Sequence, residues 1–392
     1  MEEIIKKNIK CKACNSSNTN FFDVGKSTVS GYRCDTVLES KDAPLFDIAL
    51  NFCDECNLVS QRSYSQADSL LDKLYADHES TQHAEDNPEF NHFATKLGSK
   101  YSLSSQSKVL EIGCNCGAFL KILRDKTNAS VIGVEPTQTM EHIWAERNLT
   151  VINQYLDSAS TELLKTKGPF DIIYFRHVFE HVPDPVEFIR LAQTVLAEDG
   201  AIVLEVPYLG SIFKYGRHEN ISYSHLHQYC IRSLDTIFRQ FGMGMTEYEL
   251  VKNDGGSIIA HFKRNTSTKS SHFEEDLKSQ LLDYLACGKE LKKTVQQELQ
   301  KYKNGEVVGY GAGAKGQHLI HILGLDEYIK YVVDDTLGFE GKFIPGTAIE
   351  IVSSDFLKEK TIAAVINLAP THHEIIKSKV PSHLDFLDFI NE

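Results

Sequence analysis

The sequence predicts an α/β protein: a doubly wound, largely parallel sheet, preceded by a small cysteine-bearing module and followed by a second, Rossmann-like α/β unit. Three observations carry that expectation. Between about residues 80 and 265, apolar runs alternate with helical patterns, the mark of parallel strands joined by crossover helices. Five of the nine cysteines fall within the first 56 residues. A strand, a glycine turn and a helix start occur twice, at KVLEIGCNCG and again at VVGYGAGAKG.

At 392 residues the chain is too long for one core. Shifts in composition divide it into a cysteine-bearing module at 1–75, a central domain at 76–265 and a C-terminal domain at 266–392. In the first, Phe21-Phe22-Asp23-Val24 reads as strand. In the second, strands are expected at KVLEIG, SVIGVEP, FDIIYFRH and AIVLEVP. The polar run Arg264–Ser271 reads as a linker. A helix from about Phe273 to Tyr302 follows, its apolar stripe carried by Leu277, Leu281, Leu282, Leu285 and Leu291. Later strands are expected at YIKYVVDD and IAAVINLAP.

Composition excludes several classes. An apolar fraction of 42% with 24% charged residues is that of a soluble globular protein. No run approaches the roughly 18 to 20 apolar residues of a membrane helix, so no membrane partner is expected. The start, MEEIIKKNIK, lacks the apolar core of a secretory signal, which predicts a cytoplasmic protein. A net charge of -13 argues against nucleic acid as a partner, because phosphate backbones demand clustered Lys and Arg.

The early cysteines form two Cys-x-x-Cys knuckles, Cys11/Cys14 and Cys53/Cys56, with 38 residues between them. Two such turns supply four thiolates to one tetrahedral Zn²⁺. The competing readings are reduced, partly buried thiols or a redox pair, and neither motif has a thioredoxin-like strand and helix around it. Four protein ligands leave no open position, so this zinc would hold the fold. Cys34 is left over and reads as a small buried hydrophobe.

In the first glycine loop, Gly113 and Gly117 let backbone pass close to a ligand, and Asn115 can take a left-handed conformation. The helix start offers N–H groups toward a carboxylate, and Glu111 is placed for the ligand's ammonium or a nearby water. Glu135, at the end of the next strand, can accept both hydroxyls of a ribose. The third strand ends in Phe175-Arg176-His177-Val178-Phe179-Glu180-His181, which puts His177 beside the same ligand. NAD is the rival, but EIGCNCG lacks the G-x-G-x-x-G spacing. S-adenosylmethionine (SAM) is therefore the predicted cofactor.

Taken in order, these features resemble the three-domain SAM-dependent sugar C-methyltransferases, which act on nucleotide-linked ketosugars. The resemblance spans nearly the whole chain: the cysteine module, EIGCNCG then GVEP, EHVPDP, NDGGSIIAHF, and GYGAGAKG with GKFIPGT. It implies a class I methyltransferase core and a nucleotide-sugar partner. Cys116 stands where the family's loop carries an acidic residue. Gly255-Gly256-Ser257 matches the family's strand entry. A Tyr-x-Glu-His stretch supplies the family's candidate acid–base groups. Aligned on Ile231-Arg232-Ser233-Leu234, His225 takes the histidine's place, Ser224 the glutamate's and Ser222 the tyrosine's, with Tyr223 one position off. For the family's aromatic–serine patch the chain offers Leu74-Tyr75-Ala76-Asp77-His78-Glu79-Ser80-Thr81.

Carbon methylation beside a ketone needs a base near neutral pH and donors for an enolate oxygen. His225 is the first candidate for base or donor, since histidine titrates in that range. Tyr223, His218 and His227 are neighbouring candidates to share that task, and His218 is also a candidate substrate-binding residue. His181 either faces the transfer site or caps the helix that Pro183-Asp184-Pro185 begins.

Gly311-Ala312-Gly313-Ala314-Lys315-Gly316 is a full G-x-G-x-x-G, with Asp334-Asp335 closing the next strand. Alone, it predicts NAD. The resemblance implies instead that Gly313 and Lys315 meet the phosphates of the nucleotide-sugar substrate. A third reading is a turn kept small for helix–strand packing. The rival functions are O- or N-methylation, an NAD-linked oxidoreductase, and a zinc-module binding protein with a degenerate core.

Overall fold

The computed structural model describes residues 10–29, 31–61, 87–252, 255–266, 276–302, 305–358 and 361–389. Leu74–Thr81, Asn253-Asp254, Phe273 and the linker beyond Thr266 lie outside the described residues. Among those described, no helix is long and apolar enough to cross a membrane.

Among the described residues, the strands form three sheets. The first joins β1 (Thr19–Ser27), β2 (Phe46–Cys53) and β3 (Val59–Gln61) as an antiparallel meander. Its fourth strand, β9 (His227–Gln228), comes from the central block and pairs Ser60 with His227 and Val59 with Gln228.

The second sheet has the order β10-β11-β8-β7-β4-β5-β6. Its parallel part is β4 (Lys108–Ile112), β5 (Ser130–Val134), β6 (Thr150–Ile152), β7 (Phe170–Arg176) and β8 (Leu196–Pro207). The hairpin β10 (Met243–Val251) and β11 (Ser257–Arg264) adds an antiparallel edge. The central strands read as continuous apolar runs because both faces are covered. Leu110, Ile173, Phe175 and Leu204 enter the core shared with the cysteine module, through Leu50, Phe52 and Leu58. Val109, Ile172, Tyr174 and Val203 pack on the other face, under the helices Pro88–Lys100 and Ala118–Thr127. The chain leaves β4 in one direction and returns to β7 on the other side. That reversal opens a crevice at the carboxyl ends of β4 and β7, where such sheets bind ligands.

The third sheet is built from β12 (Glu306–Tyr310), β13 (Ile329–Val333), β14 (Glu350–Val352), β15 (Ile362–Asn367) and β16 (Asp385–Leu387), and it is wholly parallel in the order β14-β13-β12-β15-β16. The helix Leu277–Leu299 links it to the rest: Leu277, Leu281 and Tyr284 belong to the first core, Val295 and Leu299 to the last. The expected stripe is corrected at Leu282, which is 51% exposed. The helix changes partners midway, so its buried face rotates and a single leucine stripe does not describe it.

The cysteine module is wedged against the C-terminal domain. Cys34 bridges Phe343, with its N–H donating to the Phe343 carbonyl at 3.0 Å. Ser27 Oγ meets His318 Nδ1 at 3.0 Å, and the Gly31 N–H donates to Gln317 Oε1 at 2.9 Å.

Burial pushes His218 and His227 down to about 4 and His318 to about 3. These folded values lie below the unfolded value of about 6.5, so the unfolded chain binds the extra protons as pH falls. The stability these rings contribute is complete above pH ~6.5 and is lost toward pH ~4. The melting temperature should hold level from pH 8 to 7 and drop below 6.5. An unchanged pH profile in His318→Gln would show that His318 is not one of the groups responsible.

Candidate active site

The first glycine loop has the backbone its residues predict. Gly113, Asn115 and Gly117 all sit at positive φ, 72°, 49° and 74°. A Cβ on Gly113 would lie 2.3 Å from Val178 Cγ2, and one on Gly117 2.3 Å from Leu149 Cδ1, so neither position admits a side chain without movement. Glu135 holds the loop from the next strand: Oε2 accepts the Asn115 N–H at 2.7 Å, and Oε1 accepts the Thr137 N–H at 3.1 Å. Trp144 Nε1 donates to the Asn115 carbonyl at 2.7 Å and Arg147 to the Cys116 carbonyl at 2.6 Å. Motif reading missed these two supports. The chain's single tryptophan, nine residues after Glu135, was the available signal.

Glu111 is 5% exposed and its Oε2 has no hydrogen-bond partner. Burial drives its carboxyl well above the usual range. A buried orphan carboxylate oxygen on Glu111, with the Glu135 carboxylate on the neighbouring strand end, fits the ammonium and ribose ends of SAM.

The loop after β7 lies against this one through Val178. Arg176 reaches Glu205 at 3.0 Å and also pairs with Glu89, while His177 lies 3.4 Å from Glu180 and 3.7 Å from Glu205. Beside Arg176 and Glu205 a cavity of about 140 Å³ opens, walled by Phe93, Phe119 and Tyr174. Glu180 is buried. Desolvation raises its carboxyl, but the hydrogen bond from His177 and the nearby His181 and His225 bring it below the ordinary value. Asp184 caps the helix Pro185–Thr194, accepting the Glu187 N–H at 3.0 Å. His181 is therefore not the cap: its Nδ1 lies 2.8 Å from the Ser224 carbonyl, and its ring stands edge-on to His225, centroids 5.0 Å apart.

The segment 217–229 is more buried than a solvent loop. His218 is stacked on Tyr284 at 4.3 Å, and Tyr223 is buried with its ring 4.9 Å from Phe46. Ser222 and Ser224 face each other, Oγ to Oγ 3.2 Å. Gln61, at the end of β3, donates its side-chain amide to the Ser222 carbonyl and, at 3.1 Å, to that of His225. Thus His225 meets His181 on the segment that follows Val178, while Tyr223 and His218 are packed inward. Gln61 carries no motif and was not legible in the sequence.

Cys11, Cys14, Cys53 and Cys56 converge, their sulfurs all within 4.8 Å of one another. The pairs Cys11–Cys56 and Cys14–Cys53 stand at 3.5 Å. A tetrahedral ion with Zn–S of about 2.3 Å separates sulfurs by about 3.8 Å, so the set fits zinc with small adjustment. Cys34 is fully buried apart from it.

The second glycine loop repeats the first in miniature. Asp334 Oδ2 accepts the Ala312 N–H at 2.7 Å and Oδ1 accepts the Thr336 N–H at 2.9 Å. A Cβ on Gly313 would meet nothing within 4 Å, whereas one on Gly316 would lie 2.1 Å from the Gly311 carbonyl oxygen. Gly316 is therefore a packing glycine and Gly313 an open one. Gly316→Ala should cost about 1–3 kcal/mol, seen as a lowered melting temperature. A wild-type melt would mean that the helix Ala314–Leu323 can shift freely.

A family model described as "Methyltransferase domain" matches residues 82–248, and another described as "C-methyltransferase C-terminal domain" matches 252–385. The chain is 24% identical over 388 residues to C-methyltransferase NovU of Streptomyces niveus, covering 91% of this chain and 88% of that protein. It is 29% identical over 122 residues to a ubiquinone biosynthesis O-methyltransferase of Haemophilus ducreyi, covering 29% of this chain and 50% of the relative. Among solved structures, the N-methyltransferase NodS of Bradyrhizobium japonicum, with S-adenosyl-L-homocysteine, superposes at a TM-score of 0.38 and 16% identity, over 50% of this chain and 98% of that one.

Proposed function

We infer that this chain, a SAM-dependent methyltransferase with a C-methyltransferase C-terminal domain, methylates carbon next to the ketone of a nucleotide-linked sugar in the cytoplasm. The observation that favours carbon is the similarity to a C-methyltransferase along 91% of the chain, against 29% for the O-methyltransferase relative. Support for a nucleotide comes from the second loop, with Gly313 open, Lys315 two residues on, and Asp334 at the ribose position.

In this reading Glu111, Gly113, Asn115, Gly117, Glu135 and His177 surround SAM. The carbon-bound proton beside the ketone passes to a base, and the enolate carbon attacks the methyl in line. The C–S bond breaks with its electron pair going to sulfur, giving S-adenosylhomocysteine. His225, beside His181, serves the enolate as proton acceptor or as donor to its oxygen. Zinc on Cys11, Cys14, Cys53 and Cys56 is structural.

Transfer of a labelled methyl to a nucleotide ketosugar, with the product read by NMR, tests the reading. A methyl on oxygen or nitrogen would refute the carbon assignment. His225→Ala should lower turnover by about 10²–10⁴-fold at saturating SAM with SAM affinity unchanged. Near wild-type turnover would remove His225 from the mechanism.

A further inference from the structure

Glu180, His181 and His225 bring one carboxylate and two imidazoles to one point, their ligand atoms all within 4.8 Å. Three features mark this as a donor set. Glu180 is 1% exposed, and its Oε2 has no hydrogen-bond partner. A buried carboxylate oxygen without a donor is costly unless a cation or donor arrives. His181 Nδ1 faces the Ser224 carbonyl at 2.8 Å. A carbonyl only accepts, so Nδ1 carries the hydrogen and Nε2 the lone pair. Fixing a ring through its other nitrogen in this way is the usual outer shell of a metal-bound imidazole. The Gln61 amide grips the main chain of Ser222 and His225, so the His225 ligand rides on an anchored segment.

We propose that Glu180, His181 and His225 form a second metal centre, distinct from the cysteine cluster, which takes a divalent first-row cation. Two nitrogens and one carboxylate oxygen suit Mn²⁺, Fe²⁺, Co²⁺ or Zn²⁺. Metal–donor bonds of about 2.1 Å place tetrahedral ligands about 3.4 Å apart, so the three side chains close by about 1 Å or somewhat more on binding. Three protein ligands leave positions open, as in metal sites that act on a substrate. The His181 N–H donates to the Val178 carbonyl at 2.9 Å, and the Val178 side chain packs against Gly113 of the first glycine loop. A ketone or enolate oxygen bound at the centre would have its negative charge offset by the cation. The carbon-methylation reading gains a definite role for His225, on the oxygen side of the enolate and through the ion. Metal binding itself does not depend on that reading.

The probe is Mn²⁺, which thiolates hold poorly, titrated without substrate into the zinc-loaded full chain and followed by loss of the free-ion electron paramagnetic resonance signal. One equivalent should bind, with at least tenfold weaker binding in both Glu180→Gln and His181→Ala. Calorimetric SAM binding confirms that the variants are folded. Co²⁺ added to the same protein should give weak ligand-field bands without the thiolate charge-transfer absorption of the cysteine site. No binding, or binding that both folded variants retain, overturns the proposal. The two readings fail separately. Mn²⁺ binding with an O-methylated product removes carbon transfer and keeps the metal, and a C-methylated product from protein that binds no Mn²⁺ does the reverse.

Discussion

Cys53→Ser is expected to release one equivalent of zinc and abolish methyl transfer, although Cys53 lies in a different sheet from the SAM loop. Structural zinc contributes about 10–16 kcal/mol of apparent binding energy, while a whole domain is stable by about 5–15 kcal/mol. Losing one thiolate should therefore unfold the module. The damage then travels through β3: Gln61 loses its place, and the Ser222–His225 main chain loses its anchor. Metal analysis and a thermal melt check the first part and turnover the second. Cys34→Ser is the control, since Cys34 is buried away from the cluster and should keep its zinc. A Cys53→Ser protein with full zinc and full activity would end both the ligand assignment and the coupling.

Glu135→Ala should weaken SAM binding by roughly 30- to 1,000-fold, the range for losing about 2–4 kcal/mol of hydrogen bonds to a charged group. In the proposed reading, part of the loss is direct, at the ribose. Part comes from the loop, since Glu135 holds the Asn115 N–H and the Thr137 N–H and hydroxyl. Titration calorimetry gives the affinity. Asp334→Ala makes the matching change in the second loop, and should leave SAM affinity alone while raising the KM for the nucleotide sugar. If Asp334→Ala weakened SAM and Glu135→Ala did not, the two loops would have to exchange roles.

Much of this site was legible because strand ends and glycine turns are local. Gly113, Asn115 and Gly117 announce positive φ through residue type alone, and Glu135 and Asp334 follow from the strand that carries them. The four cysteines were legible because thiolate pairs at that spacing have few other uses. Long-range burial was not legible. Tyr223 and His218 look like exposed loop residues until Phe46 and Tyr284 arrive from distant elements. His181 had two local readings, and Ser224, 43 residues later, removes the capping one. Leu282 keeps helical spacing yet points outward, because the helix it sits on serves two cores in turn.

The pairing of β9 with β3 has a consequence for anyone recombining these modules. Along the chain the cysteine module is expected at residues 1–75, but among the described residues its sheet is completed by His227 and Gln228. A chimera joined at residue 86 would part the two halves of that sheet, and the transplanted module would face a foreign strand. A graft that carries residues 222–229 along with residues 10–61 keeps the sheet, the Gln61 clamp and His225 from one parent. Swaps meant to change acceptor preference should treat those two segments as one inherited unit.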